Sequence, residues 1–186
     1  MMRPQATVWN ASRDAGINAL SPDLVSSDRL NRLLQLWKEL RGGRELPFRG
    51  EFAPEQLGFI LGQVTIIDVI HDPLNFRFRL IGTRIEEAGR RGDQGKTLDQ
   101  IEPASYRELV GAAYREVVES AQPTCHQISY VYRQDLVSFE RIILPFTRTG
   151  STVDLLLEAL DWLPGVPQDL KNIVIPEAPT SVLRYS

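Results

Sequence analysis

The apolar residues of this chain keep two different periods. Between residues 27 and 41, in "SDRLNRLLQLWKELR", Leu30, Leu33, Leu34, Trp37 and Leu40 recur at steps of three and four. That spacing puts all five on one face of an α-helix. Ser27 stands as the N-cap and Gly42-Gly43 as the stop. A short hydroxyl satisfies a free N–H of the first turn, and glycine accepts the left-handed turn that closes a helix. Residues 104 to 120 repeat the pattern with Leu109, Val110, Ala113, Tyr114, Val117 and Val118, and Gln122-Pro123 ends it.

Elsewhere the period falls to two. "QVTIIDVI" and "FRFRLIG" are joined by "HDPLN", whose Asp72-Pro73 and Asn75 favour a turn. In the second of these strands Phe76, Phe78 and Leu80 share one face, and Arg77 and Arg79 the other. This is the pattern of a strand with one side in the core. "CHQISYVYR", "SFERIILPF" and "VDLLLEAL" give three more strands, with Gln134-Asp135 and Thr149-Gly150-Ser151 at the hairpin turns.

The predicted order is helix, two strands, short helices, a longer helix and three strands. It implies an α+β domain: a five-stranded antiparallel sheet with helices on one face, preceded by an amphipathic helix. Residues 1–21 show no sustained period and are expected to form a flexible lead, and residues 22–57 carry the helix and a linker. Residues 58–162 make up the main domain, and residues 163–186 a tail kept irregular by Pro164, Pro167, Pro176 and Pro179.

Composition narrows the function classes. With 42% hydrophobic and 24% charged residues over 186 positions, the chain can build one domain with a proper core. A formal net charge of −3 argues against nucleic acid or an anionic membrane surface as a partner. No apolar run approaches the roughly 20 residues of a bilayer span. The first residues lack the apolar segment of a signal peptide. A cytoplasmic location without membrane insertion is therefore expected. Cys125 is the only cysteine, and His71 and His126 are the only histidines. An intrachain disulfide is excluded and a zinc site is not expected. Strand alternation sends Cys125 and His126 to opposite faces, which separates a nucleophile from its base. No catalytic and no metal-binding residue is assigned.

"GRRGDQGKT", residues 89–97, has the look of a phosphate loop but not its spacing. Five residues separate Gly89 from Gly95, and Arg90 stands where the first glycine belongs. The preceding strand ends near Gly82, and Pro103 leaves room for only a short helix afterwards. The glycines instead suit turns that need positive φ, and Leu98 and Ile101 are placed to enter the core. Arg84, Arg90, Arg91 and Lys96 form either a patch for an anion or acidic partner, or a solvated loop balanced by Glu86, Glu87 and Asp93.

These landmarks together resemble a PAS domain. The strand and helix order β-β-α-α-β-β-β matches over about residues 58 to 162. The most specific part is "FRLIGTRIEEAGRRGDQGKTLDQI", where a strand ends in glycine, short helices follow, and a "GKTL" turn leads on. The longer run through "LLQLWKELRGGRELP", "IIDVIHDPLNFRFRLIGT" and "RIILPF" is similar to stand-alone PAS proteins of alphaproteobacteria, in which a leading helix precedes the core.

The resemblance implies a non-enzymatic sensory protein of signal transduction, with a cavity between the sheet and its helices. By parity, Phe78, Leu80, Tyr114, Tyr130, Tyr132, Arg141 and Ile143 are the candidates to line that cavity. An arginine facing inward implies an acidic partner or an anionic ligand; the alternative has Arg141 in solvent and the aromatics filling the core. Haem is disfavoured because residues 104–120 hold no histidine. Covalent flavin chemistry is disfavoured because Cys125 lies on a later strand than the reactive cysteine of such photosensors. The cofactor stays unknown. The leading helix makes a homodimer the expected assembly, through Leu30, Leu33, Leu34, Trp37 and Leu40, unless this stripe covers the chain's own sheet. A signalling protein and a small molecule are the other expected partners. A ligand-free interaction scaffold and a small-molecule enzyme using the cavity are the alternatives.

Overall fold

The computed structural model describes residues 16–90, 92–102, 104–132 and 135–163, with only the backbone of 16, 17, 89, 105, 130–132 and 135–137. The long apolar stripes form the helices α1 (Asp28–Arg41) and α3 (Ala104–Ser120), and a single turn, α2 (Thr83–Ile85), leads into a π-helical turn at Glu86–Arg90. The strands are β1 (Gly16–Leu20), β2 (Val64–His71), β3 (Leu74–Ile81), β4 (Thr124–Tyr132), β5 (Asp135–Phe146) and β6 (Leu155–Trp162). All pairings are antiparallel, and the sheet order is β1-β4-β5-β6-β2-β3. The five expected strands are joined by a sixth from the segment expected to be irregular. β1 pairs along β4, from Gly16 opposite Ser129 to Leu20 opposite Cys125.

The helices divide between the two faces of the sheet, which modifies the expectation of helices on one face. α3 buries Val110, Ala113, Tyr114 and Val117 against Ile67, Phe76, Phe78, Ile81, Ile143 and Leu156. On the opposite face α1 buries Leu30, Leu33, Leu34 and Trp37 against Ile142, Leu144, Phe146, Leu155 and Leu157. The stripe of α1, with Leu40 partly buried at its end, therefore covers the chain's own sheet. A dimer through these five residues would first have to undock α1.

The N-terminus of α1 is fastened to the sheet by polar groups. Glu140 of β5 is 3% exposed and accepts from the Ser26 N–H, the Ser27 N–H and the Ser26 hydroxyl at 2.8–3.0 Å. The Ser27 hydroxyl accepts from the Leu30 N–H at 3.1 Å and donates to Asp161 at 2.6 Å. The N-cap thus satisfies the first turn and ties it to β6.

Two local features set which side chains reach the other face. Ile66 lies opposite Leu80 and Ile67 opposite Phe78, so Arg79 is an extra residue in β3. Such a bulge reverses the alternation beyond it. Leu80 is turned out, 37% exposed, and Ile81 is turned in at 6%. Next, Gly82 donates to the Val64 carbonyl at 2.8 Å, and a Cβ there would lie 2.6 Å from the carbonyl carbon of Gly62. We expect Gly82→Ala to cost about 1–3 kcal/mol of stability, since backbone cannot yield as a flexible side chain can; urea denaturation measures it.

The false phosphate loop finishes the sheet edge. Gly92 and Gly95 have φ of 84° and 88°. Gly95 N–H donates to the Phe78 carbonyl at 2.7 Å, and Phe78 N–H donates to the Lys96 carbonyl at 3.0 Å. The segment thereby pairs with β3, and the following residues deliver Leu98 (6% exposed) and Ile101 (1%) to the core.

Candidate functional site

Between α3 and the sheet lies a cavity of about 90 Å³. Its floor comes from alternate residues on three neighbouring strands. In register, Ile128, Phe139 and Trp162 form one row, and Arg141 and Leu160 the next. Glu158 sits a further step along β6, opposite Ile143 and Thr65. The roof is α3, with Tyr106, Leu109, Val110 and Tyr114. Phe78, Ile81 and Ile85 close one side, and Arg90 and Asp93 stand at the π-helical turn and the loop after it. The wall is mostly apolar.

Four charged residues and two phenols interrupt that apolar lining. Tyr114, fully buried, donates its hydroxyl to the Glu158 carboxylate. Burial, with the Glu158 charge beside it, pushes this phenol well above its ordinary range, and Arg141 and Arg90 pull the other way. Arg90 donates to Asp93 at 3.2 Å and stacks on the Tyr106 ring, 3.2 Å from its centroid. Its side chain is 11% exposed, and burial lowers its pKa from the ordinary value against the pull of Asp93. Asp93 also takes Lys96 at 3.0 Å. Arg141 is 3% exposed, and its Nε is buried without a hydrogen-bond partner among the described residues, as is one terminal nitrogen (Nη2) of Arg90.

His126 is 7% exposed and pairs with Arg141 across β4 and β5. Its Nδ1 is also without a partner among the described residues. Burial, with Arg141 adding to it, lowers its pKa from 6.5 to about 3, so the ring is neutral at physiological pH. The unfolded chain takes up that proton near 6.5 and the folded chain only near 3, so this contribution to stability is whole above pH 6.5 and declines as pH falls toward 3. His126→Leu is expected to flatten that part of the acid limb relative to the parent protein, read from urea midpoints across the range. On the opposite face, Cys125 is packed in the α1 core, and burial raises its thiol to about 11. Among the described residues no group of three or more His, Cys, Asp or Glu is placed to hold a metal.

Of the residues proposed from parity, Phe78, Tyr114 and Arg141 line the cavity. Ile143 is on the same face but packs in the core beyond the cavity wall. Leu80 does not reach it, because the bulge at Arg79 turns it outward. Tyr130 and Tyr132 belong to β4, but their side chains lie outside the described residues. Arg91 of the proposed basic patch lies outside them too. Arg90, read with its neighbours as part of a loop, is instead drawn to the cavity. Glu158 was also missed, although a carboxylate within the apolar run "LLLEAL" marks a buried charge that needs a partner.

The arrangement can enclose a small molecule with an apolar body and a polar end directed at the guanidinium groups. A PAS domain family model matches residues 25–160, from just before α1 to within β6. Comparison with curated proteins gave no match, nor did comparison with solved structures. The matched span is well over half of the chain and takes in both helices and every strand from β2 to β6, so the chain belongs to the PAS domain family.

Proposed function

We propose that this chain is a non-enzymatic sensory module of signal transduction. It acts in the cytoplasm, takes up a small molecule in the cavity beneath α3, and passes the occupancy to a protein partner. The PAS family assignment supports the regulatory role. The observation that carries ligand uptake is the apolar cavity ending in arginine nitrogens that have no partner among the described residues. A core evolved only for packing has no reason to leave buried donors unmade, since each costs about 1–3 kcal/mol.

Occupancy would act by population shift: the ligand favours the arrangement of α3 and the π-helical turn that its own contacts fit. That turn is apt for the task, because π-helical turns are less regular and recur at functional sites. A homodimer remains part of the proposal, on a surface other than the α1 stripe.

Native mass spectrometry of the full chain, purified without added ligand and then exposed to extracts of small metabolites, tests the reading. A retained or acquired small molecule, lost on Val110→Trp, which fills the cavity, is the expected result. A protein that carries and acquires none would favour the ligand-free scaffold instead.

A further inference from the structure

The cavity's unmade hydrogen bonds specify the ligand's chemistry. Its two carboxylates are already engaged: Asp93 by Arg90 and Lys96, and Glu158 by Tyr114. The Arg90 guanidinium is spent on one side, where it meets Asp93 and the Tyr106 ring, and its Nη2 is left over. Arg141 makes no ion pair or hydrogen bond to any described residue, while being 3% exposed and part of the cavity wall. The buried wall atoms left without a partner among the described residues, Arg141 Nε and Arg90 Nη2, are both donors. A buried guanidinium nitrogen left without an acceptor is costly for a core to hold.

What complements such a donor is an anionic acceptor, and a carboxylate meets a guanidinium with matched, paired geometry. The apolar remainder of the wall, including Phe78, Ile81, Leu109 and Leu160, rejects inorganic phosphate, which has no apolar part to bury. Size sets a further limit. A cavity of about 90 Å³ is smaller than the roughly 150 Å³ cavity that accommodates benzene. Only a molecule of a few heavy atoms enters without the walls moving.

We propose that the ligand of this PAS domain is a short-chain aliphatic carboxylate, held at its carboxylate by Arg141 with Arg90 assisting, and at its tail by the apolar wall. The assignment rests on the cavity being the ligand site. Glu158 and Tyr114 stand beside this site as a hydrogen-bonded pair.

Calorimetric titration of the full chain with sodium propionate and butyrate, against propionamide and butyramide at matched ionic strength, tests it. Benzoate serves as the oversize probe, and inorganic phosphate as the anion without a tail. The expected result is binding of propionate or butyrate, with amides, benzoate and phosphate weaker by about tenfold or more. Arg141→Gln is expected to abolish that preference and Arg90→Gln to reduce it, while the ligand-free stability of Arg141→Gln stays equal to or above the parent, because an unpaired buried charge has been removed. Equal binding of amide and carboxylate, or binding indifferent to Arg141→Gln, overturns the ligand class and leaves the cavity reading standing. Binding of none of the probes, together with a different small molecule retained in native mass spectra, overturns the class alone. Binding of none with none retained overturns both.

Discussion

Trp37→Ala is expected to destabilise the entire domain by about 3–5 kcal/mol, the range for losing a large buried aromatic. Trp37 is 2% exposed at the centre of the α1 stripe, in the same core cluster as Leu144 and Phe146 of β5 and Leu157 of β6. Its indole N–H donates to the Pro145 carbonyl at 2.7 Å. Truncation leaves both a cavity and a carbonyl without its donor. If α1 were a free dimerisation helix, the same change would alter the oligomeric state and leave the fold's stability nearly untouched. Chemical denaturation followed by circular dichroism, with light scattering on the same samples, separates the two. The expected outcome is a lowered midpoint in a single cooperative transition, since the α1 core shares its strands with the α3 core. Trp37→Phe, which keeps most of the volume and loses the N–H, is expected to cost less.

Glu140→Ala is expected to cost about 2–4 kcal/mol, a large effect for a single polar side chain, because it ends charge-assisted hydrogen bonds in a buried place. The carboxylate gathers two backbone N–H groups and one hydroxyl at the entry to α1. Without it, the Ser26 and Ser27 amides lose their acceptor where water has poor access, Ser27 being 8% exposed. Glu140→Gln keeps one oxygen acceptor and brings a donor toward N–H groups, so it should recover only part of the loss. Hydrogen exchange gives the local test: in Glu140→Ala the first turn of α1 exchanges faster, and the α3 core does so less. Equal protection in both proteins would mean that the packing of Leu30, Leu33 and Trp37 alone seats the helix.

Much of this fold is legible from residue periods, because each layer is amphipathic on its own. The stripes of α1 and α3 and the alternation of β2 match the observed burial. What the stripe of α1 could not show is its destination. An apolar helix face needs a cover, but one chain's pattern does not say whether the cover is its own sheet or a second copy. Leu80 was assigned to the cavity for a local reason of the same kind. Alternation assumes one residue per step, and the extra residue at Arg79 is set by pairing with β2 rather than by any turn residue.

β1 was illegible because five residues with Gly16 and Asn18 carry little pattern and gain their place from a distant partner, β4. The candidate site divides similarly. Phe78, Tyr114 and Arg141 lie on regular elements, where parity assigns a side. Arg90 lies in an irregular stretch without a period, and only the π-helical turn and the stack on Tyr106 carry it inward. Among the charges of residues 84–96 it reads as solvated, whereas Arg141, with Phe139 and Ile143 on its own face of β5, reads as an anomaly. Glu158 offered that same anomaly, a charge among the apolar residues of β6, and pairs with Tyr114 of α3.

An NMR titration of the full chain with sodium propionate, following the arginine Nε–H signals and the backbone amides together, tests most directly whether the cavity beneath α3 is a ligand site held by arginine. The Arg141 Nε–H, which has no acceptor among the described residues, should shift downfield and saturate in step with amides of Tyr106, Leu109 and Ile128 around the cavity. An Arg141 signal that stays fixed, with changes confined to exposed arginines such as Arg77 and Arg79, would contradict it.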